Sequence, residues 1–267
     1  MQKDIEITMA PEEMESVSIL KEKLSAALKI DGIRISDYKI LKRSIDARSR
    51  KVIYRLQVKV FVDESALAEI VNVKYQNVSN AKPVIIVGAG PAGLFAALQC
   101  IEIGLKPIVL ERGKDVKQRR RDLAAINKQG VVNTESNYCY GEGGAGTYSD
   151  GKLYTRSNKR GDINKVLQAF VQHGAPDDIL VDARPHIGTN KLPQIITSIR
   201  ETILNAGGEV HFDQKVTDIL IDFGKVKGVE INNDHKLFAD AVILATGHSA
   251  RDIYELLHHK GILVEAK

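Results

Sequence analysis

Apolar positions change period twice within the first 75 residues. Ile5 and Ile7 alternate with polar neighbours, as a half-buried strand requires. Met14, Val17, Leu20, Leu24 and Leu28 then recur at helical spacing, which predicts a helix with one apolar stripe. From Lys51 to Val62 the alternation returns, with Val52, Tyr54, Leu56, Val58 and Val60 on one face. Together these stretches predict a small α+β domain over residues 1–78 with one buried sheet face.

A polar segment from Tyr75 to Lys82 has neither period and ends at Pro83, which suits a linker. Beyond it the texture changes. Val84 to Val87 is a continuous apolar run, a helical stretch follows Pro91, and Ile108 to Leu110 is a second buried strand. Strands buried on both faces and separated by a helix predict a parallel β-α-β unit. An Arg-rich helix near 115–129, a glycine-rich loop at 141–151 and helices near 162–174 and 191–206 come next. Short strands then crowd together at Glu209 to Phe212, Lys215 to Asp222, Lys225 to Ile231, Lys236 to Phe238 and Ala241 to Leu244. The second domain is therefore drawn at 83–267, with a helical insertion near 150–206.

Hydrophobic residues at 43% and charged residues at 27% exclude a disordered or fibrous chain. The N-terminus lacks a basic start followed by an apolar run, and no stretch approaches the roughly 18 apolar residues of a membrane span, so a cytoplasmic location is expected. Cys100 and Cys139 stand 39 residues apart and cannot form a CxxC pair. The seven histidines are scattered, and no metal site is predicted. A net charge of +4 is mild for a nucleic-acid binder, although two basic clusters exist. One comprises Lys42, Arg43, Arg48, Arg50 and Lys51; the other is Lys117 with Arg119 to Arg121, and both read as solvated faces.

The sharpest chemistry lies in Gly88-Ala-Gly-Pro-Ala-Gly93, which follows a buried strand and opens a helix, the context a dinucleotide fingerprint needs. Gly88 permits the tight turn, Gly90 lets the backbone approach a pyrophosphate, and Gly93 lets helix and strand lie close. At Pro91 a missing N–H costs nothing, and with Ala92 it starts a helix whose free N–H groups favour phosphate. Glu111 ends the second strand 23 residues after Gly88, near the offset at which a carboxylate reaches a ribose hydroxyl. Both FAD and NAD share the ADP half that this motif grips.

Ala241-Val-Ile-Leu-Ala-Thr246-Gly247 is a buried strand ending in Ala-Thr-Gly, preceded by a three-stranded meander. This order resembles the FAD domain of glutathione-reductase-like flavoproteins. The resemblance implies an α/β Rossmann-like domain with parallel sheet and β-meander, preceded by a small ferredoxin-like domain. It implies contact with FAD at Val216 by its backbone, at Thr246 and Gly247, and at Arg112 beside Glu111. The loop Gly141-Glu-Gly-Gly-Ala-Gly-Thr-Tyr-Ser-Asp-Gly-Lys152 has five glycines between 141 and 151, so it can wrap a flat ring or phosphate or be a mobile surface loop. By position it corresponds to the segment that approaches the flavin in related proteins, which adds Gly143, Gly144, Ala145 and Gly146 to the cofactor set.

Several stretches resemble, more closely, a widespread bacterial family of uncharacterised FAD-dependent dehydrogenases. They are Glu111-Arg-Gly-Lys-Asp-Val, Glu135-Ser-Asn, the glycine-rich loop, Arg184-Pro-His-Ile-Gly-Thr189, Gly247-His-Ser-Ala-Arg-Asp252 and Ser44-Ile-Asp-Ala-Arg48. Members of that family continue well past the equivalent of Lys267, into a substrate-facing region and a strand whose Gly-Asp turn binds the ribityl side of FAD. The resemblance therefore implies a fragment, and no second GxGxxG marks an NAD(P)H domain.

The function expected is an FAD-dependent oxidoreductase exchanging a hydride between flavin and a small molecule, with NAD(P)H as a candidate electron donor. Ser149, Asp150 and Lys152 are the polar groups placed by sequence to face the isoalloxazine, with Lys152 favouring an anionic reduced flavin by charge. His186 and His248 are secondary proton-transfer candidates. The alternatives are an FAD-containing RNA-modifying protein that grips phosphates with its small domain, and a truncated chain with little cofactor binding. The scarcity of stacking aromatics beside the first basic cluster, apart from Tyr38 and Tyr54, argues against nucleic acid.

Overall fold

The structure, a computed structural model, describes residues 1–65, 73–155, 161–188 and 190–265; Thr189 and Lys267 lie outside the described residues. In chain order the first elements are β1 (Gln2–Met9), α1 (Val17–Leu28), β2 (Ile35–Asp46), β3 (Ile53–Val62), β4 (Pro83–Val87), α2 (Pro91–Glu102), β5 (Lys106–Leu110) and α3 (Val116–Gln129). They are followed by α4 (Ile163–Gln172), α5 (Leu192–Asn205), β6 (Glu209–His211), β7 (Val216–Asp222), β8 (Lys225–Ile231), β9 (His235–Phe238), β10 (Val242–Leu244) and α6 (Arg251–His259). The chain divides into two compact units, 1–72 with 152–187, and 73–151 with 188–267. The helical insertion is thus shared out: α4 belongs to the first unit and α5 to the second.

In the first unit β1, β3 and β2 form an antiparallel sheet in that order, with α1 as the crossover of a split β-α-β. Ser16 caps α1 by accepting the Ile19 N–H, and Leu20 and Leu24 bury the helix stripe against Met9, Leu56, Val58 and Val60. Strand β2 is not foreshadowed by the sequence pattern. Register shifts at Ile35/Asp37 and Ile40/Lys42 break its alternation, so apolar positions do not stay in phase. Arg43 on β2 pairs with Asp182 at 2.7 Å and Asp178 at 2.9 Å, and its backbone bonds Val181 and Ala183, which fastens the segment after α4 to the sheet.

The second unit carries a four-stranded parallel sheet in the order β10-β4-β5-β6 and an antiparallel meander β7-β8-β9. Ile85, Val87, Ile108 and Leu110 of the sheet share one core with Val216, Val229 and Ile231 of the meander. Register pairs Leu244 with Val87 and Val87 with Leu110, so the carboxyl ends of β10, β4 and β5 reach one sheet edge together. A crevice at that edge is where open α/β sheets bind ligands. The polar segment before Pro83 is docked rather than loose, since Val78 is buried and its N–H bonds the Ala206 carbonyl at 2.7 Å.

Candidate functional site

At the carboxyl edge of the parallel sheet a cavity of about 460 Å³ opens in the second unit, a size within the range of small-molecule sites. Its floor is the β4–α2 turn. Gly88 sits at φ +105°, and a Cβ there would lie 2.6 Å from the Ala245 carbonyl at the end of β10. A Cβ on Gly93 would lie 1.9 Å from the Gly88 carbonyl, so Gly93 serves helix–strand packing and does not line the cavity. Gly90 differs. Its added Cβ would meet only the Gly144 Cα, at 3.9 Å, leaving open space in front of the α2 N-terminus. Pro91 and Ala92 complete this lip, and no described residue accepts the Ala92 or Gly93 N–H.

Glu111 lines the cavity yet is only 5% exposed. Its Oε2 accepts the Ala89 N–H at 2.8 Å, and its Oε1 accepts those of Gly113 and Gly141, both at 2.9 Å. A carboxylate has about four acceptor positions. Three fix backbone, and one remains on Oε2 for a hydroxyl group. Beside it Arg112 is held by Glu135 at 2.6 Å and Asp252 at 2.9 Å, and its guanidinium stacks 4.2 Å from the Tyr140 ring centre. Lys215 reaches the same two carboxylates at 3.1 and 3.5 Å, while Tyr140 donates to the Ser249 carbonyl. This network holds the start of α6 against the cavity, where Ile253 and Tyr254 form part of the wall.

The first part of the glycine-rich loop is packed, with Gly141, Glu142 and Gly143 buried. A Cβ on Gly141 would lie 2.4 Å from the Arg119 Cδ, and one on Gly143 would lie 2.3 Å from the Thr147 Oγ1. Arg119 is fully buried. Its guanidinium donates to the carbonyls of Asn137, Tyr138, Glu142 and Gly144 at 2.7–3.1 Å, and to the Thr147 hydroxyl at 3.0 Å. Burial lowers its pKa, opposed by nearby Tyr148 and Glu111. Reading it as part of a solvated basic face fails because Val116 and Leu123, three and four positions away on α3, are also buried. That helical spacing was the available signal.

Glu142, also fully buried, accepts the Val116 N–H at 2.8 Å and lies 3.0 Å from the Arg200 Nε without a hydrogen bond between them. Burial pushes its carboxyl up to about 7, and the Val116 bond and the Arg200 charge only partly oppose that. No pattern in the sequence singled it out.

Of the remaining residues singled out by sequence, Gly144, Ala145, Val216, Thr246, Gly247 and His248 line the cavity. Gly143 and Gly146 do not line it. Ser149 and Asp150 do not line it either; the Ser149 hydroxyl caps its own loop through the Gly146 carbonyl and the Gly151 N–H. Lys152 belongs to the first unit, where its backbone pairs with His186. Cys139 is exposed at the cavity and Cys100 is buried in α2. Among the described residues no His/Cys/Asp/Glu group could hold a metal, and no helix is long and apolar enough to cross a membrane.

A family model described as pyridine nucleotide-disulphide oxidoreductase matches residues 82–262, and one described as a domain of unknown function (DUF8436) matches residues 1–61. A Clostridium beijerinckii protein described only as an uncharacterized protein is 36% identical over 95% of the chain and 50% of its own length. The chain thus spans about half of that relative. The tRNA uridine 5-carboxymethylaminomethyl modification enzyme MnmG of Caldicellulosiruptor saccharolyticus is 28% identical over 61% of the chain and 24% of its own length. Among solved structures, Thermovibrio ammonificans THI4 is 20% identical, with 68% of this chain and 64% of that one covered at a TM-score of 0.44. The glycerol-3-phosphate dehydrogenase of Bacillus halodurans complexed with FAD is 14% identical, with 67% and 37% covered at a TM-score of 0.42.

Proposed function

Because the chain belongs to the pyridine nucleotide-disulphide oxidoreductase family over residues 82–262, we propose that its cavity holds the ADP half of FAD and that it is an FAD-dependent oxidoreductase. The observation that carries this reading is the convergence of Gly90, Glu111, Val216 and Thr246 on one cavity at the sheet's carboxyl edge. The open space before Gly90 and the unaccepted N–H groups of the α2 N-terminus fit a pyrophosphate, and the spare acceptor position on Glu111 fits a ribose hydroxyl. Arg112 and Tyr140, already fixed to one another, form a flat wall for the adenosine end.

When bound, the flavin supplies hydride exchange with a substrate, and NAD(P)H is the candidate donor. The chain's own residues orient the cofactor and exclude water from its phosphates. Purified protein should carry the yellow flavin absorbance or acquire it on titration with FAD, and bleach anaerobically with NADH or NADPH. Absence of FAD binding would overturn the site; binding without bleaching would remove the nicotinamide donor alone.

An RNA-modifying role draws on the similarity to MnmG and on the basic cluster of the first unit. Pairing of Arg43 with Asp178 and Asp182, and of Arg48 with Asp46, counts against it, because these cations are already neutralised. Heparin retention that vanishes on neutralising Lys42, Arg50 and Lys51 would revive it.

A further inference from the structure

We infer that Arg119 is a positioning residue for phosphate: by drawing the carbonyls of the glycine-rich loop to itself, it turns the Ala145 N–H toward the cofactor's pyrophosphate. This rests on the cavity being the ADP site. In a trans peptide the carbonyl and the following N–H point in opposite directions, and every peptide bond in the loop is trans. Where Arg119 takes the Gly141 carbonyl, the Glu142 N–H is driven the other way, onto the Lys114 carbonyl at 3.0 Å. Where it takes the Glu142 carbonyl, the Gly143 N–H is driven onto the Ala89 carbonyl at 2.8 Å, inside the phosphate-binding turn itself. The third member of the series has no such partner. Arg119 takes the Gly144 carbonyl at 2.7 Å, and the Ala145 N–H, on the cavity wall, is accepted by no described residue.

Gly144 brings this amide to the right place. A Cβ on it would lie 3.0 Å from the Pro91 Cδ and 3.4 Å from the Gly90 Cα, so the loop rests directly on the first turn of α2. Its φ of +70° also leaves the position to glycine. The Ala145 N–H and the amides at the start of α2 therefore flank the same space. Among the described residues the cation behind the loop has no carboxylate hydrogen-bond partner, and carbonyls occupy its donors instead. The Gly144–Ala145 peptide dipole aligned on it presents its positive end to the cavity, where an anion gains most. Arg119 so contributes to phosphate binding without touching phosphate.

The test compares ADP with adenosine, which differ only in the phosphates, by calorimetric titration of the whole chain. Wild type should bind ADP at least about tenfold more tightly than adenosine, the scale of one charge-assisted hydrogen bond. Arg119→Lys, which keeps the charge but not the fork of donors, should lose most of that preference while its adenosine affinity changes less than about twofold. Ala145→Pro, which deletes the proposed donor on an exposed residue and leaves Arg119 in place, should lose the same preference. If both variants keep the wild-type preference, or lose ADP and adenosine equally, Arg119 is structural only and the inference is overturned. Should wild type itself show no preference for ADP, the assignment of the cavity fails, and the inference with it.

Discussion

The Oε1 atom of Glu111 accepts the backbone N–H of Gly141 at 2.9 Å, joining the end of the second buried strand to the first residue of a loop thirty positions further on. The same oxygen takes Gly113, and Oε2 takes Ala89 inside the β4–α2 turn. One buried carboxylate thereby closes three loops around the cavity. The residue assigned by its offset to hold a ribose is also what sets the geometry of the residues around it.

Replacing Glu111 should therefore cost stability as well as affinity. Glu111→Gln supplies one acceptor oxygen and brings an NH₂ group against at least one backbone N–H. At about 1–3 kcal/mol for each buried donor left unmade, the variant should lose on the order of 2 kcal/mol or more in a denaturant melt without ligand. A purely ribose-binding role would leave that melt unchanged and weaken only the FAD titration.

Gly90 and Gly93 separate binding from folding. A methyl group on Gly93 would lie 1.9 Å from the Gly88 carbonyl and must force helix from strand, whereas one on Gly90 meets only the Gly144 Cα at 3.9 Å. Gly93→Ala should lower the melting temperature of the ligand-free protein by several degrees, as overpacking costs about 1–3 kcal/mol. Gly90→Ala should leave it within about a degree and still weaken FAD at least about tenfold, because the methyl occupies pyrophosphate space. Equal effects of the two variants on ligand-free stability would contradict this division.

Strands and helices announced by an unbroken period, such as Val84 to Val87 and the stripe of Leu20 and Leu24, could be drawn from sequence alone. Local turn chemistry and a fixed offset also drew attention to Gly88, Gly90 and Glu111, and the structure brings all three to one cavity. Strand β2 could not be so drawn, because its bulges put apolar and polar positions out of phase. The partners of Arg119 and Glu142 were hidden for a different reason. Arg119 gives its donors to carbonyls distant in the chain and Glu142 takes the distant Val116 N–H; the buried stripe of α3 signals that Arg119 is inside, but no residue-type pattern encodes these partners. The division of the insertion, with α4 in one unit and α5 in the other, likewise depends on long-range contacts such as Arg43 with Asp182.

Asp252 holds the start of α6 to the cavity wall through Arg112 and Lys215, and the helix itself has only Ile253 buried. Asp252→Asn should therefore loosen α6 with little effect on the rest of the unit. Because Asp252 is 38% exposed, the loss should be about 1 kcal/mol at low ionic strength and shrink toward zero near 1 M salt. Hydrogen exchange of the α6 amides, compared between wild type and variant at both salt levels, measures it; a salt-independent difference would mean that packing, not charge, holds the helix.

Glu142 gives the protein a pH dependence of unusual sign. Its carboxyl, buried behind the glycine-rich loop, titrates near 7 in the folded chain against an ordinary value of 4.5. A group whose pKa is raised by folding favours the folded state while it is protonated in both states, below pH 4.5, and that advantage is lost as pH rises through 7. Carboxylates held by cations, such as Glu13 by Lys23 and Glu135 by Arg112 and Lys215, have lowered pKa values and act in the opposite direction. The contribution of Glu142 must therefore be read as a difference. Glu142→Gln keeps an oxygen for the Val116 N–H and cannot ionise, while its NH₂ group beside Arg200 imposes a penalty that does not vary with pH. Relative to wild type, the variant should gain stability between pH 5 and pH 7 and level off above that, by up to about 3 kcal/mol in all at 1.36 kcal/mol per pKa unit. Thermal or urea melts of both proteins at half-unit pH intervals test this, and a difference that stays flat, or that favours wild type increasingly toward pH 8, would show that Arg200 keeps Glu142 ionised throughout.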